Sequence, residues 1–426
     1  MSSDLEVDVA VVGAGGGGAV LGLALARRGL NTLVLEQAPG PPGGLRGEIL
    51  QPNGQEILDR LGVLPRLPVD SVTAVRLFHF RRAGGERLCT IDYDTLRPPY
   101  NRALVTLPNV AHHAVLEAFE RDAPDALLYS ARFRSLRWDN RRVVGLDVDI
   151  PGGMLRVQAS LVVGADGGLS SVRTALNLPV AVHRYPEGYL IALFESPTEL
   201  TEAQYYVGRR TILGLFPAAR RRVYAFYMIE ADSMPAVRAA GLPALREQWR
   251  AIAPELGDLI EGLQSWEQTA YMPTGRVTMP TWVIDGAALI GDAAHAMNPH
   301  ASQGRMQAMA DAMALADVAA DCAKRGDWSA KALKAYERAR RPQVTMLQRM
   351  ADEQVRFWNT GNPVLAMLRD RVFRTLDRNA RLRRQVLTAT AGFRATPPFG
   401  LIDRIIAAGF LPDFRRNIAG VRAEGR

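Results

Sequence analysis

The 426-residue chain holds only two cysteines, Cys89 and Cys322, and no short Cys/His spacing. A disulfide framework and a zinc site are therefore not expected, and a reducing, cytoplasmic setting follows. Nor is there a nucleic-acid recognition motif: the net charge is +8, but the arginines read as scattered. Such an excess fits attraction of anionic small molecules, or of a membrane surface. Residues 9–26 lack charge for long enough to suggest a membrane span or a signal core. Their glycines dilute the hydrophobicity, and Asp4, Glu6 and Asp8 precede them where a signal peptide carries positive charge, so neither is expected. With 48% apolar and 23% charged residues, the composition is that of a globular protein long enough for two or three domains.

The same region contains the strongest local pattern, VDVAVVGAGGGGAVLGLALARRGLNTLVLE. Residues 7–12 form a short valine-rich run suited to a buried parallel strand. Gly13, Gly15 and Gly18 then satisfy G-x-G-x-x-G, residues 19–28 read as the following helix, and a second strand, 32–35, ends on Glu36. A turn of glycines lets the backbone approach a pyrophosphate, the free N–H groups of the helix start hold its charge, and an acid at the next strand tip accepts from a ribose diol. Strand, turn, helix, strand and acid in that order predict a dinucleotide site.

The loop of residues 39–44 delivers the chain to Arg46, placed to meet a phosphate, after which Ile49, Leu50, Ile57, Leu58 and Leu61 read as the apolar side of a helix. Residues 71–107 become strand-like, a first excursion into a second, antiparallel domain. Residues 111–121 read as a helix whose adjacent His112 and His113 point in different directions, so a metal pair is not expected. A meander near 133–157 leads to a buried strand, 161–164, and to GADGGLSSVR, with Asp166 at the strand end and Arg173 one turn into a helix. Residues 181–279 alternate as antiparallel strands and gather aromatics, among them Tyr189, Tyr205, Tyr206, Phe216, Tyr224 and Phe226, a floor for a flat apolar ligand. A last short strand, 287–290, runs into GDAAHAMNPHASQG and a helix over 305–324. The remainder is helical and arginine-rich. Its last amphipathic piece, 401–410, is either a solvated helix or a membrane-touching one with Leu401, Ile402, Ile405, Ile406 and Phe410 as the apolar side.

Three distant motifs together give a resemblance. From about residue 7 to 341 the chain resembles the class A flavoprotein monooxygenases, the para-hydroxybenzoate hydroxylase-like FAD enzymes that include the ubiquinone-pathway hydroxylases. The resemblance implies an α/β fold in which a Rossmann-type FAD-binding domain (1–70, 108–180 and 280–345) is interleaved with an antiparallel-sheet substrate domain (71–107 and 181–279). A helical C-terminal region, 346–426, follows, with no thioredoxin-like third domain. By the same resemblance Gly13, Gly15, Gly18 and Glu36 hold the ADP half of FAD, Arg46 contacts FAD, and Asp166 serves both FAD and NAD(P)H. Asp292 reaches the flavin ribitol, and Pro299 lines the oxygen-reactive face. Where many members read GQGMN, this chain has Ser302-Gln303-Gly304-Arg305-Met306. Gly304 and Met306 still offer backbone to the flavin, while Arg305 brings a permanent charge to the ring edge, where it is expected to favour reduced, anionic flavin. Asn109 stands where the family helix begins with Arg or Gln.

The implied reaction is hydroxylation of an aromatic, phenolic or quinone-type small molecule by oxygen through a flavin hydroperoxide, with NAD(P)H as reductant. The alternatives are epoxidation or dehydrogenation on the same fold, or a non-catalytic nucleotide-binding protein; the W-x-W-x-I-P signature of flavin halogenases is missing. No general base is identifiable, although His79, His183, Tyr205 and Tyr206 come from the substrate sheet. A monomer or homodimer is expected, with no nucleic-acid partner.

Overall fold

In a computed structural model, residues 3–41, 43–45 and 48–415 are described. Arg46 lies outside them. The strand Ser3–Val12 buries Val7, Val9, Val11 and Val12 and pairs in parallel with Gly153–Gly164 on one side and Thr32–Leu35 on the other. Ala287–Leu289 and Leu127–Leu128 extend the parallel set. Side chains covered on both faces explain the continuous apolar runs. Val12 lies opposite both Gly164 and Leu35, and Gly164 opposite Leu289. Four chain segments therefore leave the sheet along one line, at its carboxyl edge, where ligands of open α/β sheets bind.

The second sheet has seven strands, in the order Thr269–Met272, Glu187–Glu195, Arg222–Glu230, Thr211–Ala218, Ala203–Gly208, Leu77–Arg82 and Arg87–Asp92. Period-two alternation sends Leu190, Ala192, Phe194 and Tyr206 under the helix Met234–Ile252. Tyr189, Ile191, Tyr205, Tyr224 and Phe226 go to the opposite face, against the C-terminal helices.

Several elements differ from the sequence expectation. Ile49 and Leu50 are a short strand paired with Ala103–Thr106, and the helix begins only at Pro52, whose missing N–H suits the first helical position. The strand expected over 161–164 is the far half of Gly153–Gly164, whose near half pairs antiparallel with Arg142–Ile150. The first helix starts at Gly16, inside the glycine run. Ile406 turns inward and is buried, so only part of the expected apolar side of the helix Leu401–Ala407 faces out.

The helices Ala330–Trp358, Pro363–Arg378 and Ala380–Thr390 close over the aromatic face of the second sheet. Their main polar anchor is Arg369, only 2% exposed: it holds Asp370 at 3.0 and 2.9 Å and donates to the Gly208 and Trp358 carbonyls at 2.6 and 3.0 Å. Asp370 also accepts from Arg82 at 2.8 Å. Removing one member of a buried, hydrogen-bonded pair strands the other. Arg369→Met is therefore expected to lower stability by about 3 kcal/mol in urea unfolding; an unchanged midpoint would show that the anchor is dispensable.

Candidate active site

At the carboxyl edge the glycines divide their work. A Cβ on Gly18 would stand 1.9 Å from the Gly13 carbonyl oxygen, and one on Gly13, whose φ is +99°, 2.7 Å from that of Ala165. These two pack the turn. Gly15 faces open space. The first helical bond runs from the Ala19 amide to Gly15, so the amides of residues 16–18 have no acceptor within the helix. Glu36 stands beside them, its Oε2 accepting from the Ala14 amide and its Oε1 from Ala38, each at 2.9 Å.

The long helix Gly304–Arg325 packs alongside the first helix Gly16–Ala26 with their starts adjacent. A Cβ on Gly17 would touch that of Ala308 at 3.1 Å, and one on Gly16 would meet Arg305 Cγ at 3.0 Å. Gly304 faces open space. Met306 buries its side chain against Gly54, leaving its backbone at the helix start. Arg305 departs from expectation. It is no lone charge but bonds to Glu48 at 3.2 and 3.3 Å, and that carboxylate, wholly buried, also accepts from the Asn109 amide at 3.2 Å and Thr106 Oγ1 at 3.3 Å. The pair cancels most of the field that an isolated guanidinium would exert. Asn109 turns its side chain to the Gly44 carbonyl, 3.0 Å away.

Asp166 is committed locally: it accepts from Ser170 Oγ at 2.5 Å and from the Ser171 and Val172 amides at 2.7 and 3.1 Å, capping the helix Ser171–Leu176. Arg173 ties this loop to the next, donating to Gly168 O at 2.7 Å and to Ala293 O at 2.9 Å. Its pKa is lowered by burial, against the pull of Asp166. Asp292 is different in kind. No described residue donates a hydrogen bond to its carboxylate. It is exposed to solvent, yet desolvation by the surrounding protein raises its pKa, opposed by His295 and helped by Asp311. Behind it, Asp311 accepts from His295 Nε2 at 2.5 Å, Gly291 N at 3.0 Å and Arg340 Nε at 2.8 Å. Arg340 continues to Gln307, Gln307 to Gln303 at 2.8 Å, and Gln303 to the Thr390 carbonyl at 2.6 Å, a buried polar line from the loop into the C-terminal helices.

The turn Pro299–Ala301 brings in a residue that was not singled out from the sequence. His300, 9% exposed, inserts between the turn and the aromatic face of the second sheet. Its Nε2 lies 3.1 Å from Asn359 Oδ1 and 3.2 Å from the Tyr189 hydroxyl; its Nδ1 lies 3.1 Å from the Tyr205 hydroxyl. Asn359 gives its amide N–H to Glu187 at 2.9 Å, so its Oδ1 accepts from His300, the imidazole carries its proton on Nε2, and Tyr205 donates to Nδ1. Trp358 stands edge-on to the ring at 5.3 Å. Burial lowers the His300 pKa to about 4, with Asn359 opposing. The other sheet candidates lie elsewhere. Tyr206 turns under the opposite face to Glu255 at 2.8 Å, His79 is held between Thr90 and Glu202, and His183 stacks edge-on with Tyr185 on an exposed strand. The signal for His300 was its place directly after Pro299.

A family model described as FAD binding domain matches residues 6–351. The chain belongs to that family. It is an FAD-dependent monooxygenase of the aromatic-hydroxylase type. It is similar to the 6-methylpretetramide 4-monooxygenase of Streptomyces rimosus, 29% identical over 388 residues, which are 89% of this chain and 90% of that one. It is also similar to the 3-demethoxyubiquinol 3-hydroxylase of Escherichia coli (strain K12), 26% identical over 406 residues, 90% of this chain and 98% of the other. Among solved structures, the p-nitrophenol 4-monooxygenase PnpA of Pseudomonas putida DLL-E4 superposes with a TM-score of 0.79 at 21% identity, covering 92% of this chain and 100% of that one, a likeness of fold.

The residues of this monooxygenase fit FAD on their own chemistry. Two adjacent helix starts present unpaired amides, the open faces of Gly15 and Gly304 leave the backbone approachable, and Asp292 keeps a carboxylate without a donor. On the sheet side the neutral His300 makes stability depend on pH. Below about 6.5 the unfolded chain protonates this histidine while the folded chain does not until about 4, so stability falls with pH through that window, by up to about 3 kcal/mol. Urea unfolding between those pH values should show the slope, reduced in His300→Asn; equal slopes would mean that His300 is not the group responsible.

Proposed function

We propose that this monooxygenase uses NAD(P)H and molecular oxygen to hydroxylate an aromatic, phenolic or quinone-type small molecule. The balance is one oxygen atom into the substrate and one into water, with NAD(P)H giving two electrons and, with one further proton, completing that water. The observation that carries the reading is that one loop joins two sets of groups: Asp292 and the open helix start at Gly304 flank the Pro299 turn, and from that turn His300 bonds to Tyr189 and Tyr205 of the second sheet. FAD, when bound, supplies the redox chemistry, accepting electrons from the nicotinamide and activating oxygen.

In this reading Gly13, Gly15, Gly18 and Glu36 hold the adenosine half, while the amides of Gly304 and Met306 with Asp292 hold the flavin half. Pro299 shapes the wall against which the ring lies. Asp166 acts indirectly, by fixing the loop from which Arg173 grips Ala293. Arg305 and Glu48 bracket the site as a neutral pair. The substrate end follows from the hydrogen-bond directions. Because Tyr205 gives its proton to His300 Nδ1, its oxygen is left to accept from a substrate hydroxyl. As the substrate hydroxyl releases its proton to Tyr205, Tyr205 passes its own to His300, and the ring becomes an imidazolium. Burial makes that cation unfavourable, so His300 returns the proton when the substrate charge collapses. The phenols themselves resist ionisation, since burial raises the pKa of both Tyr189 and Tyr205. Apolar surfaces of Trp358, Phe80 and Phe226 around these groups exclude water from the substrate side.

Support beyond geometry comes from the relatives, whose names describe oxygenation of 6-methylpretetramide and of 3-demethoxyubiquinol. The test uses phenols and quinols under labelled oxygen gas, with mass analysis of the product. One labelled atom per product molecule is expected, together with NAD(P)H oxidation that depends on substrate. His300→Leu is expected to keep its flavin and to lose about a hundredfold in turnover of a phenolic substrate. Product carrying no labelled oxygen would sink the hydroxylation.

A further inference from the structure

The excess charge of this chain is not spread along it. Residues 346–426 contain 15 arginines, no lysine and seven carboxylates, so this C-terminal region carries the whole net charge of +8 and the preceding residues are neutral in sum. The same region exposes large apolar side chains: Val364 is 64% exposed, Met367 69%, Leu401 76%, Ile402 60%, Phe410 65% and Phe414 86%. Such a concentration on one part of a surface marks a contact site.

The two features interleave. On the helix Pro363–Arg378 the residues 364, 367, 371, 374 and 378 follow steps of three and four and form one outward stripe, while Ala366, Arg369, Phe373 and Leu376 face the core. The stripe begins apolar, with Val364 and Met367, and continues basic, with Arg371, Arg374, which is paired with Glu86 at 2.5 Å, and Arg378. Arg371 has no carboxylate partner among the described residues: it donates to the Gly409 carbonyl at 2.6 Å and lies 5.0 Å over the ring of Phe410. Leu411 and Phe414 follow on the same segment, beside a groove of about 380 Å³ lined by Arg371, Arg374 and Arg378. The acids nearby are neutralised from within, Asp403 and Asp413 by Arg381 and Arg415.

We propose that this face docks on an anionic phospholipid bilayer, with Leu401, Ile402, Phe410, Leu411 and Phe414 entering the headgroup boundary and the arginine stripe meeting phosphates. Apolar side chains and arginines alternating on short helices lie in an interface plane rather than cross it. No helix among the described residues is long and apolar enough to span a membrane. Charge complementarity favours an anionic surface over a second copy of this chain, since two such faces would repel. The inference is independent of the reaction catalysed. It does give the site a direction: Trp358, the last residue before the four-residue loop into the basic helix, packs on His300 and Tyr205.

The experiment is sedimentation of the full chain with phosphatidylcholine vesicles, with and without phosphatidylglycerol. Binding is expected to strengthen at least roughly tenfold with the anionic lipid and to weaken with added salt. Phe410→Ser, Leu411→Ser and Phe414→Ser combined, and separately Arg371→Glu, should each lose that binding while circular dichroism and the urea midpoint stay unchanged, because these side chains are exposed. Failure to sediment with anionic vesicles would overturn the proposal. Binding equal in wild type and variants would do so too, as would an oligomer, in place of vesicle binding, that the same substitutions dissolve.

Discussion

Everything in the site depends on the common register at which four parallel strands end. Val12, Leu35, Gly164 and Leu289 stand in line, so Glu36, the glycine turn, the Asp166 loop and the Asp292 loop leave the sheet at one edge without any of them touching in sequence. Close packing holds this register, because a slip would bring a side chain to positions with no room for one: a Cβ at Gly164 would stand 2.6 Å from Leu289 and one at Gly13 2.7 Å from the Ala165 carbonyl oxygen. The glycines then allow an approach that no side chain permits, with the Gly13 carbonyl against Gly18. Two helix starts brought side by side by such packing offer an anion their unpaired amides, so the proposed cofactor cradle consists largely of residues with no side-chain chemistry.

Polar side chains do their work one layer behind. The line from His295 through Asp311, Arg340, Gln307 and Gln303 fixes the Asp292 loop against the C-terminal helices. Burial disfavours the Asp311 carboxylate, but His295, Arg340 and the Gly291 amide outweigh it and hold its pKa below the usual range. A satisfied buried network of this kind favours one arrangement over its competitors. Asp292, with no hydrogen-bond donor among the described residues, is left open to a ligand. The Arg305–Glu48 pair shows the same economy: two unusual residues, far apart in sequence, neutralise each other beside the cradle.

Much of this was legible in the sequence, and the limits have physical causes. The glycine turn, Asp166, Asp292 and the strands around Tyr189, Thr211 and Arg222 are local patterns, readable from spacing and alternation. What escaped was set by contacts between distant segments. Ile49 and Leu50 became strand because Ala103–Thr106 offered a partner. The charge of Arg305 was readable, its neutralisation by Glu48 was not. His300 sat within a recognised motif, yet its role depends on Tyr205, Tyr189 and Asn359, which arrive from two other regions. The arginines of the tail read as scattered, but three of them, Arg371, Arg374 and Arg378, fall on one stripe of the helix Pro363–Arg378.

On the proposed assignment each half of the dinucleotide meets a helix start and one carboxylate, so both halves should be needed for tight binding. The most direct measurement is calorimetric titration of the apoprotein with FAD, FMN and riboflavin. FAD is expected to bind at least about a hundredfold more tightly than FMN, since on the proposed assignment only FAD carries the half that meets the turn of Gly13, Gly15 and Gly18 and the Glu36 carboxylate. Equal affinity for FAD and FMN would contradict the account.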